Sequence, residues 1–558
     1  MHRSRSRWAY ALALVSLAAC SDRSASTDRG DNGGTIIIVV PGAEPAPLLP
    51  PLADDQFSRL LVDQLYDRLA EIGPDMNTVG DVGFKSRLAK SWAWAPDSMS
   101  IAFAIDPTAR WHDGQPVRAA DVKFSLDLDK DPKTATQLTA TLANIDSVAV
   151  RDSLTAVVFY HKRTPEQFYD FVYQVAILPQ HVLGSVPREQ LRTSDVTRRP
   201  IGSGRFRFVQ WQPGQRIEIM ADTANYRGRA KLDRIVMSFV TDPGAAITQL
   251  LTGQADYYEN LSPPVLPKVD SAGTVRVIPY PGVGLSYLGM NSRDRKNSRA
   301  PHPIFGDRRV RRAITMALDR RSMLRNVFDT LGVLGLGPFT RSLMDTTVTQ
   351  IPFDRAAGAA LLDSAGWRVG ADGMRAKAGR PLSFGVIVPT SSAFRMRYAV
   401  LIQEALKAVG IGVEIESMDI SAWLARSNAH DFDASLISTG TDPARASVKQ
   451  NWSTSAIAAG GQNSVSYSNP AFDATVDSAV ASFDKTRADA LYHRAFQTIV
   501  DDAPAVWLYD NLNLAGAHKR IRTAPMRVDY WWANLADWWI PANERIERDR
   551  IGLRAAQQ

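Results

Sequence analysis

Cysteine is almost missing from this chain: Cys20 is the only one in 558 residues. An intramolecular disulfide is therefore excluded. Long apolar runs are missing too. The one sustained stretch, Trp8–Ala19, has twelve residues, well short of the roughly 20 that a membrane-crossing helix needs. Histidine is sparse. Its eight residues form no His-x-x-x-His or His-Glu-x-x-His pair, the spacing that sets two imidazoles on one helix face around zinc. No metal site is expected.

Motifs for bond-making chemistry are equally scarce. The run Gly284-Leu285-Ser286-Tyr287-Leu288-Gly289 has one residue too many for a nucleophile elbow, and Ser482-Phe483-Asp484-Lys485 lacks the partner motifs of a penicillin-binding site. Asp484 reads better as a helix cap. His112-Asp113 sits in a turn, where Asp bonds nearby backbone amides, and is read as structural. No phosphate-binding loop is present, so no catalytic residue and no cofactor are assigned.

Excess charge of one sign is small. The formal +7 falls by three to +4 if Arg3, Arg5 and Arg7 are cleaved with an export signal. The basic clusters Arg308, Arg309, Arg311, Arg312 and Arg320, Arg321 are read as the solvated face of one amphipathic helix. They lack the interleaved aromatics of a single-strand platform, and no nucleic-acid partner is expected.

What is present starts with an export signal at 1–19: a basic start at His2, Arg3, Arg5 and Arg7, then the short apolar run. It ends Leu17-Ala18-Ala19-Cys20, which resembles a bacterial lipobox. Cys20 is thus the expected lipidation site, and two or more acyl chains anchor stably where one does not. A polar tether follows at 20–34. The remainder is globular in composition, 45% hydrophobic and 22% charged overall, and long enough for more than one core.

Patterning predicts a buried strand over Thr35–Val40 and a helix over Gln56–Leu69. Hairpins are expected at Val148–Val150 with Thr155–Phe159 and at Arg205–Trp211 with Arg216–Met220. Further helices are expected at Ala245–Leu251, Asp354–Ala365, Ala393–Val409 and Asp484–Val500. An apolar stripe through Val310, Ile314, Ala317, Leu318, Leu324 and Val327, with Asp307 as N-cap, predicts another. Helices and hairpins alternate irregularly, so the class is α/β with mixed sheets.

The segment Leu88–Leu126 is the most specific. It reads as an alternating strand (Ile101, Phe103, Ile105), the turn Trp111-His112-Asp113-Gly114-Gln115-Pro116, and a helix near Asp121. This order resembles the dipeptide/oligopeptide/nickel-binding family of bacterial extracellular solute-binding proteins (family 5). Gly202-Ser203-Gly204 with Asn225-Tyr226, Gly253 with Asp256, Tyr287–Asn291 and Pro303–Arg320 extend the resemblance from about Thr35 to Trp539.

The resemblance implies a two-lobed periplasmic-binding-protein-like fold with a hinge and a discontinuous first lobe. The expected division is 35–42, 197–285 and 503–541 for lobe 1, with an accessory subdomain at 43–196. Lobe 2 is expected at 286–502 and a charged tail at 542–558. It implies a monomeric ABC-importer component, lipid-anchored at the extracytoplasmic face of a bacterial membrane. Such a protein captures peptides or a related small polar solute between its lobes and passes it to a permease. A metal chelate, haem, another non-peptide ligand, or sensing without transport remain alternatives on the same fold.

The resemblance also suggests the lining. Ser438-Thr439-Gly440-Thr441-Asp442-Pro443 replaces the family's cleft loop, with Asp442-Pro443 at its downstream "DP". The acidic residue that pairs with a peptide's α-amino group in the upstream half of that loop has no counterpart here. Asp442, or Glu44 in the Pro-Gly-Ala-Glu-Pro turn, is the expected substitute. Gly440, Thr441, Trp452, Asn463 and Tyr467 complete the expected substrate-binding set.

Overall fold

A computed structural model describes residues 30, 32–42, 44, 45, 47–136, 138, 139, 141–440, 442–458 and 461–554. The export signal, Cys20 and Thr441 lie outside the described residues. Among the described residues, no helix is long and apolar enough to cross a membrane.

One long mixed sheet runs through both lobes, and two strands cross between them: Val275–Met290 and Ala505–His518. They pair antiparallel in two stretches. Val275–Pro281 lies against the far half of its partner, His518–Leu512, and Leu285–Gly289 lies against the near half, Asp510–Ala505. The ladder breaks between Pro281 and Leu285. Gly284 sits at this break with no room for a side chain, since a Cβ would lie 2.3 Å from Asn511 Nδ2.

On the first-lobe side, Thr35–Pro41 pairs parallel with Arg234–Val240, and the hairpin Phe206–Gln212, Arg216–Ala221 extends the edge. On the second-lobe side, Ala434–Gly440, Ser383–Pro389 and Gly412–Met418 continue the sheet. Strand periodicity explains the double burial. Val506 and Leu508 join one core with Val310, Ile314 and Tyr398, while Ala505 and Trp507 join the opposite core with Trp452 and Phe496. Alternate residues face opposite sides, so a strand covered on both must read as a continuous apolar run.

The accessory subdomain is a four-stranded antiparallel sheet in the order Ala89–Trp94, Ser100–Ile105, Thr155–Tyr160, Ile145–Asp152. Helix Ala119–Lys130 packs on it through Val122 and Leu126. That helix starts two residues before Asp121, whose carboxylate accepts from the Arg118 N–H at 2.8 Å. His112 is held by Gly204 O at 2.9 Å and by the Gly202 N–H at 3.1 Å. Asp113 accepts from the Gln115 N–H at 3.1 Å, the turn role expected of it. Gly202 permits the close approach predicted for it, because a Cβ there would sit 1.8 Å from Leu65 O.

Three readings of the sequence need correction. The stripe from Val310 to Val327 belongs to two helices, Arg308–Ala317 and Arg320–Phe328. Leu318 is extended, and the Asp319 carboxylate starts the second helix by accepting from the Ser322 N–H at 3.0 Å. The arginines there are not a uniform solvated face. Arg311 is buried against Asp502 O and Phe305 O, and Arg320 against Trp507 O. The segment read as a charged tail packs onto the first lobe, where buried Asp549 accepts from Arg520 and from the Thr35 N–H, both at 2.7 Å. Arg520 also binds Asp256, which is fully buried, at 2.9 Å.

Candidate functional site

Beside the break in the crossing strands lies a cavity of about 380 Å³. Its first-lobe wall is Glu259–Pro263, its second-lobe wall includes Phe394, Arg395 and Ser438, and its floor is Tyr509–Leu514 of the second crossing strand. Phe328, Leu331 and Leu512 give it an apolar body, and Asn260, Asn511 and Asn513 supply amides that both donate and accept. A mostly apolar pocket with a few placed polar groups between two lobes is the usual form of a small-molecule site.

Three charged residues face this space. Glu259 follows the short strand Tyr257–Tyr258 and accepts from Gln56 Nε2 at 3.2 Å and from the Trp531 indole N–H, both on Oε2. Burial holds its pKa above the ordinary carboxylate value, the Trp531 bond pulling the other way. Asp510 accepts from the Arg341 N–H and the Thr340 hydroxyl, and burial lifts it to about 6. Arg395 is in the first turn of helix Ala393–Lys407, with its guanidinium 5.3 Å from the Trp423 ring. Burial lowers its pKa.

The residues expected from the sequence are dispersed. Trp452 is buried against Tyr287 and Trp507 in the second-lobe core. Asn463 is buried nearby, its amide donating to the carbonyls of Trp452, Ser453 and Tyr467. Tyr467 donates to Asp502 at 2.9 Å. Glu44 accepts from the Gly214 N–H at 2.7 Å and from Trp211 at 3.1 Å, at the first-lobe hairpin. Gly440 closes the strand that contributes Ser438 and pairs with Gly284. None of these five is among the residues that line the cavity.

Asp442 lies on a second interlobe seam. It accepts from Tyr169 of the accessory subdomain at 2.9 Å and from the Ala444 N–H at 2.7 Å. Crowding by protein raises its pKa. Glu166 and Asp170, on the same accessory helical segment, face the same seam. Burial lifts Glu166 to about 7, with the Thr78 hydroxyl and Arg445 opposing, and lifts Asp170 to about 8, reinforced by the charges of Glu166 and Asp442.

Glu259, Arg395 and Asp510 escaped the sequence reading because no local motif carries them. One signal was available. Asp510, Asn511 and Asn513 interrupt an apolar strand, marking where it leaves the core and meets a cleft.

A family model described as bacterial extracellular solute-binding proteins, family 5 (middle region), matches residues 83–459. This chain belongs to that family. It is a family of solute-binding proteins and not of enzymes. The oligopeptide-binding protein AppA of Bacillus subtilis is 27% identical over 549 residues, covering 94% of this family 5 chain and 96% of its own. The solved structure of that AppA with a nonapeptide has a TM-score of 0.70 at 24% identity, covering 92% and 100%. CtaP of Listeria monocytogenes reaches 0.77 at 21%, covering 91% and 99%. NikZ of Campylobacter jejuni with Ni(L-His) reaches 0.71 at 21%, covering 90% and 99%. These likenesses show the two-lobed fold.

Proposed function

We propose that this family 5 protein is the capture component of an ABC importer, holding a peptide or a related small polar solute in the interlobe cavity for delivery to a permease. The observation that carries the reading is the cavity's position at the break of the two crossing strands, with walls from both lobes. A solute touching both walls binds the closed arrangement better than an open one, and this differential affinity is what shifts the equilibrium toward closure. The peptide-binding relative AppA supports a peptide as the solute. Lipidation at Cys20 would hold the monomer at the extracytoplasmic face of the membrane.

Native mass spectrometry of the gently purified mature protein tests this. A peptide-sized added mass that is lost on partial unfolding is the expected result. A protein that carries no added mass and binds neither a peptide of any length nor a small polar solute by calorimetry, or that turns one over, would refute it.

A further inference from the structure

The segment 542–554 turns two chemically different faces, one into the first lobe and one outward. Its inward residues fix it in place. Asp549 is buried against Arg520 and the Thr35 N–H, Arg548 binds Asp256 at 2.6 Å, and Arg234 donates to the Arg554 carbonyl. Leu553 packs on the first-lobe core. The outward face carries Ile546 and Ile551, 44% and 48% exposed, together with exposed Arg550 and Arg554. Neither of these two guanidinium groups forms an ion pair or a hydrogen bond among the described residues. Single exposed isoleucines are ordinary, but two of them set among unpaired cations on a firmly held segment mark a contact surface.

The position of this face points to its occupant. Arg545 Nη2 donates to the Gly30 carbonyl at 2.7 Å, and the Gly33 N–H donates to the Lys231 carbonyl at 2.7 Å. The chain toward Cys20 therefore leaves the first lobe beside Arg545 and Lys231. Ten positions separate Cys20 from Gly30, a reach of at most about 35 Å. A lipid on Cys20 would hold this end of the protein within that distance of a bilayer. Charge agrees with this. Arg545, Arg550, Arg554, Lys231 and Lys519 form no ion pair among the described residues, and the segment's exposed, unpaired carboxylate is Glu547. Neighbouring Arg522, Arg229 and Arg548 are neutralised by Glu544, Asp233 and Asp256.

From this arrangement we infer that the segment 542–554 is a membrane contact in its own right, resting on anionic phospholipid headgroups through Arg550 and Arg554 with Ile546 and Ile551 set among them. The inference goes beyond the proposed function and rests on the tether in that reading. A lipid on a polar tether limits distance and leaves orientation free. The headgroup contact adds orientation, turning this end of the first lobe toward the bilayer. A few cations and two isoleucines make a weak, reversible contact. It orients a tethered protein, whose local concentration at the surface is high, and does not retain an untethered one in a fractionated cell.

The test is co-sedimentation of the mature Cys20→Ser protein, which carries no lipid, with vesicles at millimolar lipid. One set is phosphatidylcholine alone and the other is phosphatidylcholine and phosphatidylglycerol in equal parts. Binding is expected to the mixed vesicles and not to the neutral ones, and it should weaken as salt rises. Each cation at an anionic leaflet strengthens association about fivefold, so Arg550→Glu/Arg554→Glu should weaken it at least about tenfold. Ile546→Ser/Ile551→Ser should weaken it about threefold or more. All four side chains are exposed, so both variants should keep the wild-type Tm. Equal binding to the two vesicle types, binding to neither, or an Arg550→Glu/Arg554→Glu protein that binds like wild type overturns the inference. Dimers in analytical ultracentrifugation that Ile546→Ser/Ile551→Ser abolishes would give the face to a second copy of the chain and overturn it as well. The tether fails separately: if the protein with Cys20 intact is soluble in cells while the unlipidated form binds mixed vesicles, the anchor falls and the headgroup contact stands.

Discussion

The seam around Asp442 makes the folded protein lose stability as pH rises through neutrality. In the unfolded chain Asp170 ionises near its ordinary value of 3.8, whereas the fold lifts it to about 8. Between these values the folded state holds a proton that the unfolded state has released, so stability is full below 3.8 and declines as pH climbs toward 8. Each pH unit in that window costs about 1.4 kcal/mol per group. From pH 6 to pH 8 the ceiling for Asp170 alone is then about 2.7 kcal/mol. Glu166, lifted from 4.5 to about 7, adds to the first half of the window. Burial is the main cause of both shifts, and water entering the seam on ionisation restores part of the lost hydration. A net fall of about 1–2 kcal/mol is expected, or about 1–2 °C in Tm, because the unfolding entropy grows with chain length and gives roughly 1 °C per kcal/mol at this size. Asp170→Asn keeps the uncharged shape at every pH, so its Tm should vary less between pH 6 and 8, and the double variant Glu166→Gln/Asp170→Asn less still. Differential scanning fluorimetry across pH 5–9 reads this directly. A wild-type Tm that is flat or rises from pH 6 to 8, or an Asp170→Asn curve parallel to wild type, refutes the argument.

Three further outcomes follow from the structure. Cys20→Ser should move the protein from the membrane to the soluble fraction on cell fractionation, and continued retention would refute the anchor. Arg520→Ala leaves Asp256 and Asp549 buried without this partner and should cost about 3–5 kcal/mol in denaturant unfolding. Gly202→Ala forces a Cβ to within 1.8 Å of the Leu65 carbonyl, and overpacking of this kind costs about 1–3 kcal/mol or more. A midpoint within experimental error of wild type would contradict the packing described for that turn.

Local elements were legible in the sequence because their causes are local. The capping carboxylates of Asp307 and Asp484, the hairpin at 151–153 and the turn at Trp111–Pro116 each follow from residues a few positions apart. The break at Leu318–Asp319 was missed because the apolar stripe carries on across it, and the competing signal, an Asp able to cap at Ser322, is a weaker pattern than periodicity. The cleft was the least legible part. Asn463 and Tyr467 are polar residues in a loop, which reads as a lining, yet their polar atoms satisfy backbone carbonyls and Asp502 inside the core. Glu259 and Arg395 come from segments 136 positions apart and meet across a space that no spacing rule encodes.

The bond between Asp549 and the Thr35 amide joins residues 514 positions apart, and this imposes an order on biogenesis. The body carrying Val310, Tyr398 and Trp452 draws mainly on one continuous span and is free to consolidate while later segments are still being delivered. Its neighbour stays incomplete until Arg520 and Arg548 arrive to neutralise Asp256. During that interval Thr35–Pro41 is already flanked by Arg234–Val240 and Tyr257–Tyr258, and only its Thr35 end waits for the bonds to Asp549 and Arg520 that lock it.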